Sequence, residues 1–407
     1  MKKKYSKFWR FSGNEVKYIS TFFKNGFKTK DSPFSEKLEK KWSYIHGLKY
    51  SICINSCTSA LHVAFLSLGL KKGDEVLVPA LTPIMCGTTI HLAGGTPIYV
   101  DVNPETFLLD ENDLKKKITN KTKAVLAVHM YSGICNLNNL KKICKKKKLY
   151  LIEDCAEAVG GKDENNNLVG TIGDISCWSF QAAKQLTSGD GGILSTNNKI
   201  LAKKIRKFGN LGFRTLEAEN SKILVSKDER QNPDYKRFDE IGFNYRMNEF
   251  TASIALAQTE QISKFVRLRR NAGKEFEKIF LKNKNFKTQK ISKKTFSTYY
   301  TYAVLLVSDK SKNVNWSKFR KKFMSYGGDG IYAASRLIHQ EPAVRKYKIG
   351  RCFKTCSTNC VVSCKGTPHA KELQKNLLLF TTNQSNNFEI RKQIRALKKT
   401  ISFFNLY

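Results

Sequence analysis

The chain has 407 residues, of which 41% are hydrophobic, 11% aromatic and 26% charged. That balance excludes a disordered chain and provides enough apolar surface for one large domain plus a smaller one. The net charge of +38, from 72 Lys+Arg against 34 Asp+Glu, raises the question of a polyanionic partner. The lysines are spread over the whole chain, for example at residues 2–4, 115–117 and 145–148, whereas a binding arm would concentrate them. Solvated faces are the simpler reading. No common nucleic-acid motif is visible, so no nucleic-acid partner is expected, although a positive field would still attract a phosphorylated substrate.

The eleven cysteines are odd in number, and the basic first ten residues are not followed by an apolar stretch. No window approaches ~18 uninterrupted apolar residues. The expectation is a cytoplasmic protein with reduced thiols and no membrane span. Cys352, Cys356, Cys360 and Cys364 recur every fourth residue. One straight helix cannot wrap four ligands around one ion, so no metal site is expected and the thiols read as small hydrophobes.

The first ~45 residues read as helical and charged. Short apolar runs then alternate with helical stretches. Strands are predicted at 51–55, 75–79, 97–102, 124–129, 149–153, 176–180 and 192–195, and helices at 59–68, 85–92, 137–147 and 199–208. Alternating βα units with continuous apolarity predict a mostly parallel sheet covered on both faces. The polar stretch 220–232 reads as a loop. Beyond it, helices at 249–281, 316–326 and 383–399 and a strand at 299–307 predict a smaller α/β domain. The division is placed at 1–260 and 261–407.

In parallel α/β sheets, ligands sit at the carboxyl ends of the strands. Three such ends carry chemistry. After Asn55, Ser56-Cys57-Thr58-Ser59 places hydroxyls and backbone N–H groups at a helix start, which suits either a phosphate or plain N-capping. The 149–153 strand runs into Asp154, an acid that is costly to bury unless a cation or a cap accompanies it. After Ser179-Phe180 comes Lys184, followed by Gly189-Asp190-Gly191-Gly192. Lys184 is either a surface lysine or, desolvated beside other cations, a nucleophile with a lowered pKa.

The order and spacing of these residues resemble the sugar aminotransferases of the DegT/StrS family, within the aspartate-aminotransferase-like (fold type I) pyridoxal-phosphate (PLP) enzymes. The likeness runs from about Gly73 to Gln258. It includes Gly73-Asp74-Glu75-Val76, Gly95-Thr96-Pro97, Glu153-Asp154 with Gly173-Asp174, Ser179-Phe180 with Lys184, and Gly242-Phe243-Asn244-Tyr245-Arg246-Met247. The resemblance implies that Lys184 carries PLP as an imine and that Asp154 holds the pyridine nitrogen protonated. It gives Thr58, Ser59 and Ser179 to the phosphate, and has Asn244 reach the phosphate from a neighbouring subunit, hence a homodimer. Glu157 stands where many members have Gln beside the phenolic oxygen, and looks most like the perosamine-synthase branch, which aminates a GDP-linked 4-keto-6-deoxy sugar.

The sequence departs from the pattern at Pro83, where a ring-stacking aromatic is common, at Cys57 for Gly, at Asp190 for Glu and at Val159 for His. His339, in His339-Gln340-Glu341-Pro342, resembles a sugar-facing segment in outline only. The implied reaction is a ping-pong transamination of a nucleotide-linked keto-sugar with glutamate as donor, with Lys184 as general base and acid. Two alternatives share the fold: a sugar dehydratase, whose branch carries His in place of the lysine, and a PLP-binding regulator.

Overall fold

The computed structural model describes residues 10–26, 33–221, 225–307, 314–350 and 366–407. The four-residue cysteine spacing at Cys352, Cys356, Cys360 and Cys364 lies outside them. Two sheets organise the chain. The larger has seven strands: β1 (Tyr50–Ile54), β2 (Glu75–Pro79), β3 (Thr96–Val100), β4 (Thr122–Val128), β5 (Tyr150–Asp154), β6 (Ile175–Ser179) and β7 (Gly192–Thr196). Their spatial order is β1-β7-β6-β5-β4-β2-β3. Only β7 runs against its neighbours β1 and β6; the other pairings are parallel.

Runs such as Glu75-Val76-Leu77-Val78-Pro79 are buried throughout, because helices cover both faces and leave no solvent side for a polar alternation. The antiparallel β7 has a functional consequence. It lets β1 point the same way as β6, so the carboxyl ends of β1, β4, β5 and β6 share one edge with the start of β7.

The second sheet is antiparallel, in the order β10-β11-β9-β8, with β8 (Phe286–Thr288), β9 (Thr301–Leu306), β10 (Tyr332–Ala333) and β11 (Leu377–Thr381). The 249–281 stretch is two helices, Glu249–Glu260 and Ile262–Phe280, parted at Gln261 (φ −108°, ψ 15°). The first packs on Phe34–His46 in an aromatic-rich core with Trp42, Trp178 and Phe180. The second reaches into the core of the small sheet through Phe276 and Phe280. We propose Gln261 as the division between the units. Instead of a bare loop, the 220–232 stretch contains the short helix Lys227–Gln231, capped by Ser226. No helix among the described residues is long and apolar enough to cross a membrane.

Candidate active site

The shared strand edge opens into a cavity of about 370 Å³. Thr58, Asp154, Glu157, Ser179 and Lys184 all line it. Residues scattered over more than a hundred positions of sequence meet there because each ends or follows a strand that stops at the same edge.

One wall is the start of the Cys57–Ser67 helix. Ser56 caps it, its hydroxyl accepting from the Ser59 N–H at 3.1 Å and lying 3.0 Å from the Ser59 hydroxyl. Ser59 is therefore engaged in the cap and is not among the cavity residues, while Thr58 faces in. Amides of a first helical turn have no intrahelical partner and attract anions. The start of β7 closes on this wall. A Cβ at Gly192 would lie 2.5 Å from the Ser56 carbonyl carbon and 2.7 Å from the Cys57 nitrogen, so only glycine permits this approach.

The floor is Asp154, at the end of β5. Its Oδ1 accepts from the Ala156 N–H at 3.0 Å, and its Oδ2 receives the Cys86 thiol at 3.4 Å. Burial pushes this carboxyl up, partly offset by the Ala156 amide and by Lys184. No ion pair to Asp154 exists among the described residues. A buried acid of this kind fits a protonated ring nitrogen, which would supply the missing cation.

Across the cavity, Lys184 Nζ lies 3.1 Å from Glu157 Oε1 and 4.3 Å from the centre of the Tyr300 ring. The other Glu157 oxygen accepts from the Tyr131 N–H at 2.9 Å, which fixes the carboxylate. Burial alone would lower the lysine, but Glu157, Tyr300 and Asp154 outweigh it and hold the ammonium above its ordinary value. The sequence leads to a lowered pKa, and the structure reverses that direction, because the groups that act on the Lys184 nitrogen are acids and a phenol. Ser179 is buried, its hydroxyl accepting from the Gln181 N–H at 3.2 Å.

Two expected residues lie elsewhere. Asn244 is exposed beside Asn210, next to the β1 edge and outside the cavity of its own chain. His339 is fully buried against Tyr99, with ring centres 5.4 Å apart, and is absent from the cavity lining. Burial, Arg345 and Lys117 lower it to about 4, as befits a neutral core histidine. Glu153, next to Asp154, serves the fold. It accepts from the Gly170, Ile172 and Gly173 amides and sits 3.3 Å from His129. That accounts for its oxygens without the metal that the His129, Glu153 and Cys155 cluster would otherwise suggest. Tyr300 carries no signal in the sequence, since no motif links a tyrosine at the start of a strand to a lysine 116 positions earlier.

Comparison with known proteins agrees with this geometry. Residues 11–365 match the model of the DegT/DnrJ/EryC1/StrS aminotransferase family. The chain is 36% identical to the GDP-perosamine synthase of Escherichia coli O157:H7 over 296 residues, covering 72% of this chain and 75% of that one. It is 32% identical to the Vibrio cholerae enzyme of the same name over the same shares. Among solved structures, an aminotransferase from Psychrobacter cryohalolentis superposes with a TM-score of 0.82 at 22% identity, covering 96% of this chain and 97% of that one. A GDP-4-keto-6-deoxymannose-3-dehydratase with bound GDP-perosamine superposes at 0.81, also at 22% identity, covering 94% and 97%. That fold therefore hosts both aminotransfer and dehydration, and it is the sequence match that decides the family. This chain belongs to the DegT/DnrJ/EryC1/StrS aminotransferase family and is a PLP-dependent aminotransferase.

Proposed function

We propose that the protein transaminates a nucleotide-linked keto-sugar, a 4-keto-6-deoxyhexose, with glutamate as amino donor, and that the amino-sugar product enters surface-polysaccharide or glycan synthesis. The observation that carries the reading is Lys184 in a cavity it shares with two acids, 3.1 Å from Glu157 and across from buried Asp154. A lysine there retains the amine that transamination needs, where the dehydratase branch has His. The similarity to two GDP-perosamine synthases supports a GDP-linked sugar.

PLP would be held through its phosphate by the first turn of the Cys57–Ser67 helix, Thr58 and Ser179, and through its ring nitrogen by Asp154. When bound, it supplies an electron sink for the carbon that loses a proton. The remaining steps belong to the chain. Lys184 Nζ moves a proton to and from the substrate carbon as general base and acid. Glu157 holds that nitrogen and takes part of its charge. Buried Asp154, held by the Ala156 amide and the Cys86 thiol, would keep its carboxylate fixed at the cavity floor opposite the ring nitrogen. Pro83 lines the cavity where an aromatic is common, so it offers an apolar contact without ring stacking.

A homodimer with shared sites fits the surface around Asn244. Ile241 is 90% exposed, and Leu211, Phe238 and Phe243 are exposed as well, an apolar grouping that a partner surface would cover. A second copy covering that patch would bring its Asn244 to the neighbouring phosphate site.

The test is to load the protein with glutamate, then offer GDP-, dTDP- and UDP-linked 4-keto-6-deoxy sugars while following the cofactor absorbance. Return of the starting spectrum with a GDP-linked sugar, and formation of an amino-sugar by mass, is the expected result. A spectrum that glutamate never changes, or a deoxygenated product without nitrogen, would rule the reading out.

A further inference from the structure

The loop that carries Lys184 is gripped from two sides by guanidinium groups. Arg10, from the segment before the first helix, donates to the Ala182 carbonyl at 2.6 Å and to the Lys184 carbonyl at 2.5 Å. Arg269, on the Ile262–Phe280 helix, donates to the carbonyls of Ala183 at 3.0 Å and Lys184 at 3.1 Å. Its other arm donates to the Tyr300 carbonyl at 2.9 Å and reaches the Thr382 hydroxyl at 3.3 Å. Thr382 in turn lies within hydrogen-bond distance of the Tyr299 and Tyr300 carbonyls.

Each arginine is 4% exposed, and neither has an ion-pair partner among the described residues. Burying two like charges with no carboxylate in direct contact is costly, and Glu157 and Tyr300 offset that cost only in part. Burial lowers both guanidinium groups, and in Arg269 Arg10 adds to the effect. A fold that merely needed to close a loop could do so with amides. The arrangement has a more specific result. One planar guanidinium holds both the backbone of the lysine and the backbone of the tyrosine whose ring covers that lysine's nitrogen. Tyr299, just before, has φ 48°, a left-handed conformation that costs a non-glycine residue energy and persists only when its surroundings enforce it.

We infer that Arg10 and Arg269 are positioning residues for Lys184: together they fix the lysine loop against Tyr300 across the junction of the two units, so that Nζ is presented to the cofactor and the substrate carbon from one direction. The inference rests on the reading of the cavity as a PLP site. It gives Arg10 a role in catalysis without its touching a reacting atom.

The test uses the full chain freed of cofactor. PLP is added, its attachment to Lys184 is trapped with borohydride at timed intervals, and the labelled peptide is quantified by mass. Arg10→Gln removes the clamp's charge and fork, whereas Arg10→Lys keeps the charge and one donor. A misplaced reacting group typically costs about ten- to a hundredfold, and Arg10→Gln should slow attachment and lower kcat by that factor. KM for glutamate should stay within about twofold, because the donor's contacts are untouched. Arg10→Lys should recover part of the rate. Melting curves accompany each variant. If Arg10→Gln does not fold cooperatively, the intermediate rate expected of Arg10→Lys carries the test, and a wild-type rate in that variant overturns the clamp. If wild-type protein is labelled on Lys184 and folded Arg10→Gln is labelled equally fast, the clamp alone is wrong. Wild-type protein that takes no label on Lys184 overturns the cavity reading and the clamp with it.

Discussion

Replacing Glu157 by Gln isolates the interaction that sets the state of Lys184. The two groups are 3.1 Å apart and both side chains are mostly shielded, at 15% and 12% exposure. Two unit charges at that separation attract by about 5 kcal/mol at an effective dielectric of about 20. Part of this is offset by the burial of the lysine, which acts in the opposite direction, and Tyr300 and Asp154 remain. We expect a net loss of about 1.4–4 kcal/mol for the ammonium, which at a fixed pH below the lysine's pKa is about ten- to a thousandfold more free amine. The Gln carbonyl can still accept the Tyr131 N–H, so the fold should be kept. The assay is the pH dependence of PLP attachment to Lys184 in cofactor-free protein, trapped by reduction. The variant should attach faster at every pH below the wild-type inflection, with its own inflection at lower pH. An unchanged or slower rate in a variant that melts like wild type would show that Glu157 does not hold the charge of Lys184.

Other consequences follow from the same structure. Gly192→Ala puts a methyl against the Ser56–Cys57 backbone, which cannot yield as a side chain would. It should cost about 2 kcal/mol or more in denaturant melts and weaken PLP binding in equilibrium dialysis. His46, buried and stacked on Trp42, is lowered by burial to about 4, and His339 likewise. A histidine depressed in the folded state stabilises fully above its unfolded pKa of about 6.5 and loses that contribution as pH falls towards 4. Each should contribute on the order of 2–3 kcal/mol, so thermal stability should drop between about pH 6.5 and 4, and less steeply in His46→Phe. Ile241→Asp adds a charge to the exposed apolar patch around Asn244 and should shift the mass in light scattering from dimer to monomer.

Much of the large unit is readable from sequence because its signals are local. The helices Met85–Leu92 and Leu137–Lys147 fall where the apolar spacing puts them, and the strands from β1 to β7 lie within two residues of the predicted bounds. The small unit is less readable. The strand Leu377–Thr381 follows the helix Pro368–Asn376 with no intervening turn residue, so the apolar run has no boundary to mark it. The break at Gln261 has no glycine or proline to announce it. The placement of Asp154, Ser179 and Lys184 at one cavity is legible because Asp154 and Ser179 end apolar strands and Lys184 follows one. The approach of Tyr300, Arg10 and Arg269 to Lys184 is not, since these contacts are made across long sequence separations. The direction of the Lys184 shift is likewise a property of its neighbours in space. The same holds for His339, whose motif suggests a sugar contact and whose ring lies in the core.

We propose Lys184 as the amine on which the chemistry turns. Its most direct test is to incubate full-length wild type and Lys184→Ala with PLP, glutamate and a GDP-linked 4-keto-6-deoxy sugar and to measure amino-sugar formation. In parallel, borohydride-reduced wild type is digested to locate the cofactor. PLP is expected on the Lys184 peptide, with roughly a thousandfold or greater loss of turnover in the variant, in line with removing a group that acts in the transition state. PLP on a different lysine, or normal turnover in Lys184→Ala, would contradict it.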